Sequence, residues 1–349
     1  MTHDAFTIDI GERYIKIADI AKKGSHYEAH TLAFNENPIN IYNTDSSKDS
    51  DMTAGVIQKI VRDAGIKKKA VNIVVPDVHS YSQIIEMPLL TEKELVSAIK
   101  YQADQFIPVP IEDVSLDIEV LFEDRRNKKL IILLIATTHA VVEKVTSLVE
   151  RAGLYPDSIE NETSATVRLI ADMLEAHREN AVAQQLSLFM NVGYSATSLY
   201  LFNEVKKLPV EIRNFSLGVN IFIKDIQANL ELPEGEIKKM LETTGFSDVP
   251  SSYNIKNIIS SPYNVFVSEI ERFIIVAKTK FGLPVNSIFL FGEGGKIASF
   301  GDKLSTSLGI KISLFDIFPY FVRNNVIDYF KADLLFIIPA LGGCVRFMK

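Results

Sequence analysis

The chain is short of several things, and each shortage excludes a class of function. Cys344 is the only cysteine in 349 residues, so no intramolecular disulfide can form, which fits a reducing compartment. Basic residues are outnumbered, at 37 Lys and Arg against 44 Asp and Glu, so no electrostatic footprint for nucleic acid or anionic lipid is expected. The most apolar run, Leu130–Ala136, stops at Thr137, Thr138 and His139 and is far too short to span a bilayer. Asp4 and a strand pattern open the chain, with no basic segment leading into an apolar stretch, so no signal peptide is expected. Any membrane role then goes through a partner. His3, His26, His30, His79, His139 and His177 are scattered without zinc spacing. No G-x-S-x-G elbow or G-x-x-x-x-G-K-[ST] loop occurs, and Gly292–Gly295 do not complete a dinucleotide-binding G-x-G-x-x-G.

What is present is organised around FTIDIGERYIKIADI, Phe6–Ile20. Apolar residues alternate on both sides of a break at Gly11, the pattern of a β-hairpin. Backbone N–H groups freed at such a turn can hold an anion. Asp9 leads into the turn and Lys16 leaves it, a carboxylate and an ammonium suited to a metal-bound phosphate. The design recurs in LSLFMNVGYSATSLYLF from Leu186, where Asn191, Val192 and Gly193 stand in the places of Asp9, Ile10 and Gly11. Tyr194 follows that glycine, and the turn is rich in small hydroxyl residues, Ser195, Thr197 and Ser198. A third turn, FLFGEGGKI from Phe289, carries Gly292, Gly294 and Gly295, which allow a backbone to approach a ligand closely. Two like hairpins in two halves, with a late glycine turn, point to a nucleotide held between facing domains.

These turns resemble the two phosphate motifs and the adenosine motif of the actin-like ATPase superfamily. The segment QIIEMPLLTEKELVSAIKYQADQFIPVPIEDVSLDIEVL resembles the PilM family of type IV pilus assembly proteins, most specifically in QFIPVPIEDV. The resemblance runs in order over nearly the whole chain. It implies an α/β, actin-like (ribonuclease H-like) two-domain fold with an inserted β-α-β-β-α subdomain. The implied divisions are subdomain 1A over 1–78, the inserted 1C over 79–154, and a return to 1A over 155–185. Subdomain 2A follows over 186–215, then 2B over 216–285 and 2A again over 286–317. The segment 318–349, containing PALGG, is expected to pack on 1A. The cofactors implied are ATP and Mg2+, with Asp9 at the metal.

Along the chain, Asn35–Asp51 reads as a mobile loop, Met52–Ala64 as an amphipathic helix ending at Gly65, and Val71–Val75 as a buried strand. Thr91 with Glu94 makes a capping box for a helix over Glu92–Phe106, which Pro108 and Pro110 stop. Two strands, Val114–Phe122 and Leu130–Ala136, and a helix over Ala140–Ala152 complete that unit. The run Arg125, Arg126, Lys128 and Lys129 reads as a docking patch or as a solvated hairpin tip. Glu162 opens a helix where the superfamily places a residue that orients the attacking water or the hydration shell of magnesium; the other reading is a carboxylate answering the helix dipole. Glu236 and Lys239 are candidates for base or ribose contacts or an exposed i,i+3 pair, and Lys296 a ribose contact or a solvated lysine. Asn264–Phe281 reads as a long helix with Val265, Ile270, Phe273, Ile274 and Ala277 inward.

Departures from the superfamily pattern limit the chemistry. Glu12, Arg13 and Tyr14 follow the first glycine where a small residue is usual; a glutamate there repels phosphate unless it points away or a magnesium intervenes, and Arg13 beside the cofactor is expected to compensate in part. Asn191 replaces the usual aspartate and removes a charge that organises the metal. Because phosphoryl transfer rests on positioning and charge, the expectation is nucleotide binding with slow or absent hydrolysis. The resemblance further implies a cytoplasmic scaffold at the inner membrane. It would grip the N-terminal tail of a PilN-like membrane protein near Met87, Phe106, Ile107, Pro108, Val109 and Pro110, and associate with itself in a ring. The alternatives are an actin-family filament former resembling FtsA and a small-molecule kinase, which would need a catalytic aspartate that the sequence does not identify.

Overall fold

A computed structural model describes residues 5–102, 105–176, 185–249, 253–346 and 348. The chain divides into two compact units, Met1–His177 with Ile317–Lys349, and Arg178–Asp316.

In the first unit, β1 (Ala5–Ile10), β2 (Tyr14–Lys23) and β3 (His26–Glu36) form an antiparallel ribbon. Helix α1 (Ser47–Asp63) then crosses to β4 (Ala70–Val75), which lies parallel to β1. The helix begins inside the stretch read as a loop. The Asn, Asp and Ser residues that signalled a loop act here as caps: Ser46 accepts a hydrogen bond from the Asp49 N–H, and Asp49 faces the helix dipole.

Strand β5 (Ser80–Pro88), helix α2 (Glu92–Gln102), β6 (Val114–Asp124) and β7 (Lys129–Thr138) form the inserted element, a sheet of order β5-β7-β6. The capping box is present: Thr91 N–H donates to Glu94 Oε2 at 2.8 Å, and Glu94 N–H to Thr91 Oγ1 at 3.4 Å. Leu95 and Ile99 face the small core, and residues 103 and 104 of the helix expected over Glu92–Phe106 lie outside the described residues. Helix α3 (His139–Arg151) leads to β8 (Tyr155–Asn161) and α4 (Glu162–Ala176), giving the first sheet the order β3-β2-β1-β4-β8.

The second unit repeats the plan. Strands β9 (Leu186–Val192), β10 (Thr197–Asn203) and β11 (Leu208–Phe215) are antiparallel. Helices α5 (Asn220–Leu230), α6 (Glu234–Thr243), α7 (Ile255–Ile258) and α8 (Ser260–Phe281) precede β12 (Val285–Gly292), which runs parallel to β9. Helix α9 (Phe300–Leu308) and β13 (Lys311–Leu314) close a sheet of order β11-β10-β9-β12-β13. Both five-stranded sheets thus have three antiparallel strands followed by two parallel ones, the α/β doubling expected of an actin-like chain. Helix α8 starts earlier than its pattern indicated, because Pro262 sits in the first turn, where the missing N–H is harmless. Its inward face is Tyr263, Phe266, Val267, Ile270, Phe273 and Ala277; Val265 is exposed, one step off the 3.6-residue phase.

Short helices α10 (Asn325–Tyr329) and α11 (Leu334–Val345) belong to the first unit. The core of that unit sits between one sheet face, with Phe6, Ile8, Ile10, Ile15 and Ile17, and helices α1 and α3. The other face carries Thr7 and Asn72, and α11 lies directly on it. A Cβ on Gly343 would come within 2.5 Å of Thr7, and one on Gly342 within 2.1 Å of the Ala165 carbonyl in α4.

Candidate functional site

The site in the first unit begins at the β1–β2 turn. Gly11 N–H donates to the Tyr14 carbonyl at 3.0 Å, closing the turn. A Cβ on Gly11 would meet that same oxygen at 2.7 Å, so the tight turn requires glycine. The register opposes Asp9 to Lys16, and their side chains share one face. Lys16 Nζ lies 2.8 Å from Asp9 Oδ2 and 4.6 Å from the centre of the Phe336 ring in α11. Asp9 is fully buried, and its Oδ1 makes no hydrogen bond. Burial raises its pKa, while the Lys16 charge and hydrogen bond pull it down.

Glu162 begins α4, and its Oε2 accepts from the Asp77 N–H at 3.2 Å. Burial raises its carboxyl well above the usual range, the charges of Asp9 and Asp77 add to this, and Lys16 opposes it. Asp77 is the member that sequence reasoning missed. It caps α4, accepting from Thr163 N–H and Oγ1, each at 2.9 Å. The signal available was an acidic residue directly after the β4 strand, behind Pro76. Asp9, Asp77 and Glu162 form one acidic cluster answered by Lys16. Asp77 has both oxygens engaged by Thr163, so Asp9, with its Oδ1 unbonded, is the carboxylate here that fits a hydrated divalent cation, which uses one or two carboxylates together with ligand phosphates. Among the described residues, no group of three or more His, Cys, Asp or Glu could hold a metal by itself.

The next two turn residues are directed elsewhere. Glu12 Oε1 accepts from Asn40 Nδ2 at 2.9 Å and lies 3.7 Å from His79 Nε2. The Arg13 guanidinium bonds Glu36 Oε1 at 3.2 Å and lies over the Tyr14 ring at 5.6 Å.

In the second unit, Gly193 N–H donates to the Ala196 carbonyl at 2.9 Å, the counterpart of the Gly11 turn. Asn191 is buried beside it. Gly292 has a φ of 81°, and a Cβ there would strike Asn191 Oδ1 at 2.3 Å; one on Gly294 would strike the Val192 side chain at 2.6 Å. The late glycine turn is therefore pressed against the hairpin, and Asn191, Gly193, Gly292 and Gly294 come together. Glu293–Lys296 is a short 3-10 turn ending at Lys296, and Gly295 lies within it. Thr197 Oγ1 donates to the Leu217 carbonyl at 2.7 Å, which occupies that hydroxyl in joining β10 to the approach to α5. Ser195 lies half-buried in the turn, and Tyr194 Oη reaches Glu234 Oε1 in α6 at 3.4 Å. Glu236 and Lys239 are both exposed on α6.

The residues expected to meet a partner lie at the inserted sheet. Met87 and Ile107 are buried in its core, Phe106 and Val109 are half-buried against it, and Pro108 and Pro110 are exposed. A separate cavity of about 550 Å³ lies between the loop before α1 and the first turns of α3, lined by Tyr42, Thr44, Thr138, Val141 and Lys144. Nothing in the local sequence pattern marked it.

Comparison with known proteins follows the same lines. A model of the family described as type IV pilus assembly protein PilM matches residues 7–335. The solved PilM-PilN type IV pilus biogenesis complex superposes with a TM-score of 0.85 at 19% identity, covering 100% of both chains. Ethanolamine utilization protein EutJ from Carboxydothermus hydrogenoformans gives a TM-score of 0.50 at 10% identity over 97% of this chain and 88% of that one. At these identities the likeness is one of fold.

Proposed function

The chain belongs to the PilM family of type IV pilus assembly proteins, and from that premise we propose that it is a nucleotide-binding scaffold that holds the N-terminal tail of a PilN-like membrane protein. The observation that carries the nucleotide half is the buried Asp9–Lys16 pair behind the Gly11 turn, with Asp9 Oδ1 unbonded. In this reading the ligand is ATP with Mg2+. Lys16 offers a point charge to the phosphates, and Asp9 takes the metal through its waters. The Gly193 turn serves the phosphates, and Gly292–Lys296 with Glu236 and Lys239 serve the nucleoside.

Turnover is slow or absent. Asn191 brings no charge to a metal, and Glu162 Oε2 is already engaged, accepting from the Asp77 N–H at 3.2 Å. The purified protein should bind ATP in calorimetry, more tightly with Mg2+ than without. Radiolabelled ATP should show little steady-state hydrolysis, and robust turnover would sink this part of the proposal.

The partner half is supported by the family and by the inserted sheet, whose edge strands are β5 and β6. An extended tail can add its backbone to such an edge and bury alternate side chains. Among the described residues no helix is long and apolar enough to cross a membrane, and in this reading the scaffold reaches the inner membrane through its partner. A synthetic partner tail should be retained by the protein and lost from a Pro108→Ala/Pro110→Ala variant. Equal retention by both would remove this surface from the proposal.

A further inference from the structure

We infer that Asn40 and His79 are positioning residues for the first turn: they hold the Glu12 carboxylate off the place where phosphate oxygens would lie beside Gly11. The inference rests on the reading that this turn takes phosphates, and it answers the difficulty that a glutamate there creates.

Glu12 follows Gly11 at the tip of the hairpin, and its side chain is only 12% exposed. Two of the neighbours that meet its carboxylate are themselves fixed. Asn40 caps the 3-10 turn Ile41–Asn43, its Oδ1 accepting from the Tyr42 N–H at 3.0 Å. With the oxygen thus engaged, the amide must present its nitrogen to Glu12, and Nδ2 donates to Oε1 at 2.9 Å. The His79 ring is stacked on Tyr42 at 4.1 Å with the planes 22° apart, which places Nε2 at 3.7 Å from the same Glu12 oxygen. Tyr42 is pinned in turn, since Oη donates to the Ile10 carbonyl at 2.7 Å, one residue before Gly11. The carboxylate is therefore drawn toward the β3–α1 loop by a donor whose orientation is fixed, and it faces there the edge of a ring locked by stacking, whose Nε2 at 3.7 Å makes no hydrogen bond to it.

The physical consequence is one of charge. A carboxylate released at the turn would lie within a few ångströms of bound phosphate, where like charges at the protein surface repel strongly. A carboxylate tethered by Asn40 is displaced from that place. Asn40 and His79 act through Glu12, so their importance should vanish when that charge is gone.

The test measures MgATP affinity by calorimetry on the full chain. Asn40→Ala and His79→Phe, the latter keeping an aromatic ring against Tyr42, should each weaken binding by about tenfold. Glu12→Gln should bind more tightly than the natural protein. In the Glu12→Gln background, adding Asn40→Ala or His79→Phe should change affinity less than twofold. A merely structural role for Asn40 or His79 predicts equal losses in both backgrounds and would overturn the inference, as would single variants that bind like the natural chain. Should Asn40→Ala fail to fold, Asn40→Ser keeps a capping oxygen without the donor and carries the test together with His79→Phe. If the natural protein binds no nucleotide, the reading of the turn falls and takes this inference with it; if it binds and the tethering variants are silent, only this inference falls.

Discussion

Lys16 Nζ sits 2.8 Å from Asp9 Oδ2, the two side chains opposed across the first hairpin and nearly closed off from water. A charge buried with one partner is exposed to the loss of that partner. Lys16→Met should lower stability by about 3 kcal/mol, because Asp9 is left desolvated and must take up a proton or draw in water. The double variant Asp9→Asn/Lys16→Met should recover a large part of the loss. Urea unfolding of the four proteins checks this, and additive losses would show that the pair is not coupled.

The acidic cluster makes stability depend on pH in an uncommon direction. Burial raises the pKa of Glu162, with Asp9 and Asp77 adding to the rise, and burial also raises Asp9 against the pull of Lys16. The folded chain then keeps protons that the unfolded chain has lost. It binds more protons than the unfolded state, so the contribution is complete below the ordinary carboxylate range and is lost as pH rises through the folded values. Urea midpoints should fall as pH rises above the ordinary carboxylate range, and Glu162→Gln should flatten that slope while keeping an acceptor for the Asp77 N–H. An unchanged slope in the variant would locate the dependence elsewhere.

Glycine in α11 is there for proximity. In an exposed helix Gly→Ala is stabilising by up to about 1 kcal/mol, but a Cβ on Gly342 would lie 2.1 Å from the Ala165 carbonyl, and backbone on both sides cannot give way. Gly342→Ala should therefore destabilise, by about 1–3 kcal/mol, and lower the thermal midpoint. A rise would mean that α11 and α4 do not hold this approach.

Ile107 was expected at the partner groove, and its burial changes what a mutation there reports. At 3% exposure in the small core with Ile99 and Leu95, Ile107→Asp places a charge among apolar side chains and should cost about 3 kcal/mol or more. Hydrogen exchange over β5–β7 should rise throughout in that variant. Loss of tail binding would then follow from loss of the subdomain, which is why the exposed Pro108 and Pro110 are the better probes.

Much of this was legible from residue order. The two hairpins announced themselves because period-two alternation broken by glycine is a local property, and so was the capping box at Thr91 and Glu94. Asn35–Asp51 misled because Asn, Asp and Ser both begin helices and make loops, and only the fold decides which N–H groups need them. Val265 was misplaced for a related reason: an apolar residue one step off the helical phase looks inward until the neighbours of α8 are known. The partners of Asp77 and the Asn40–Glu12–His79 contacts could not be read from local pattern, since those residues lie 28 to 86 positions apart.

By itself, then, the sequence determined where strands turn, which stretches repeat and which family the chain belongs to, because these depend on periodicity and on glycine positions a few residues apart. Tertiary structure alone decided that Asp9 is buried against Lys16, that burial raises the Glu162 carboxyl, and that Asn40 bonds Glu12. Those are facts of burial and charge proximity, and both are set by which distant segments pack together.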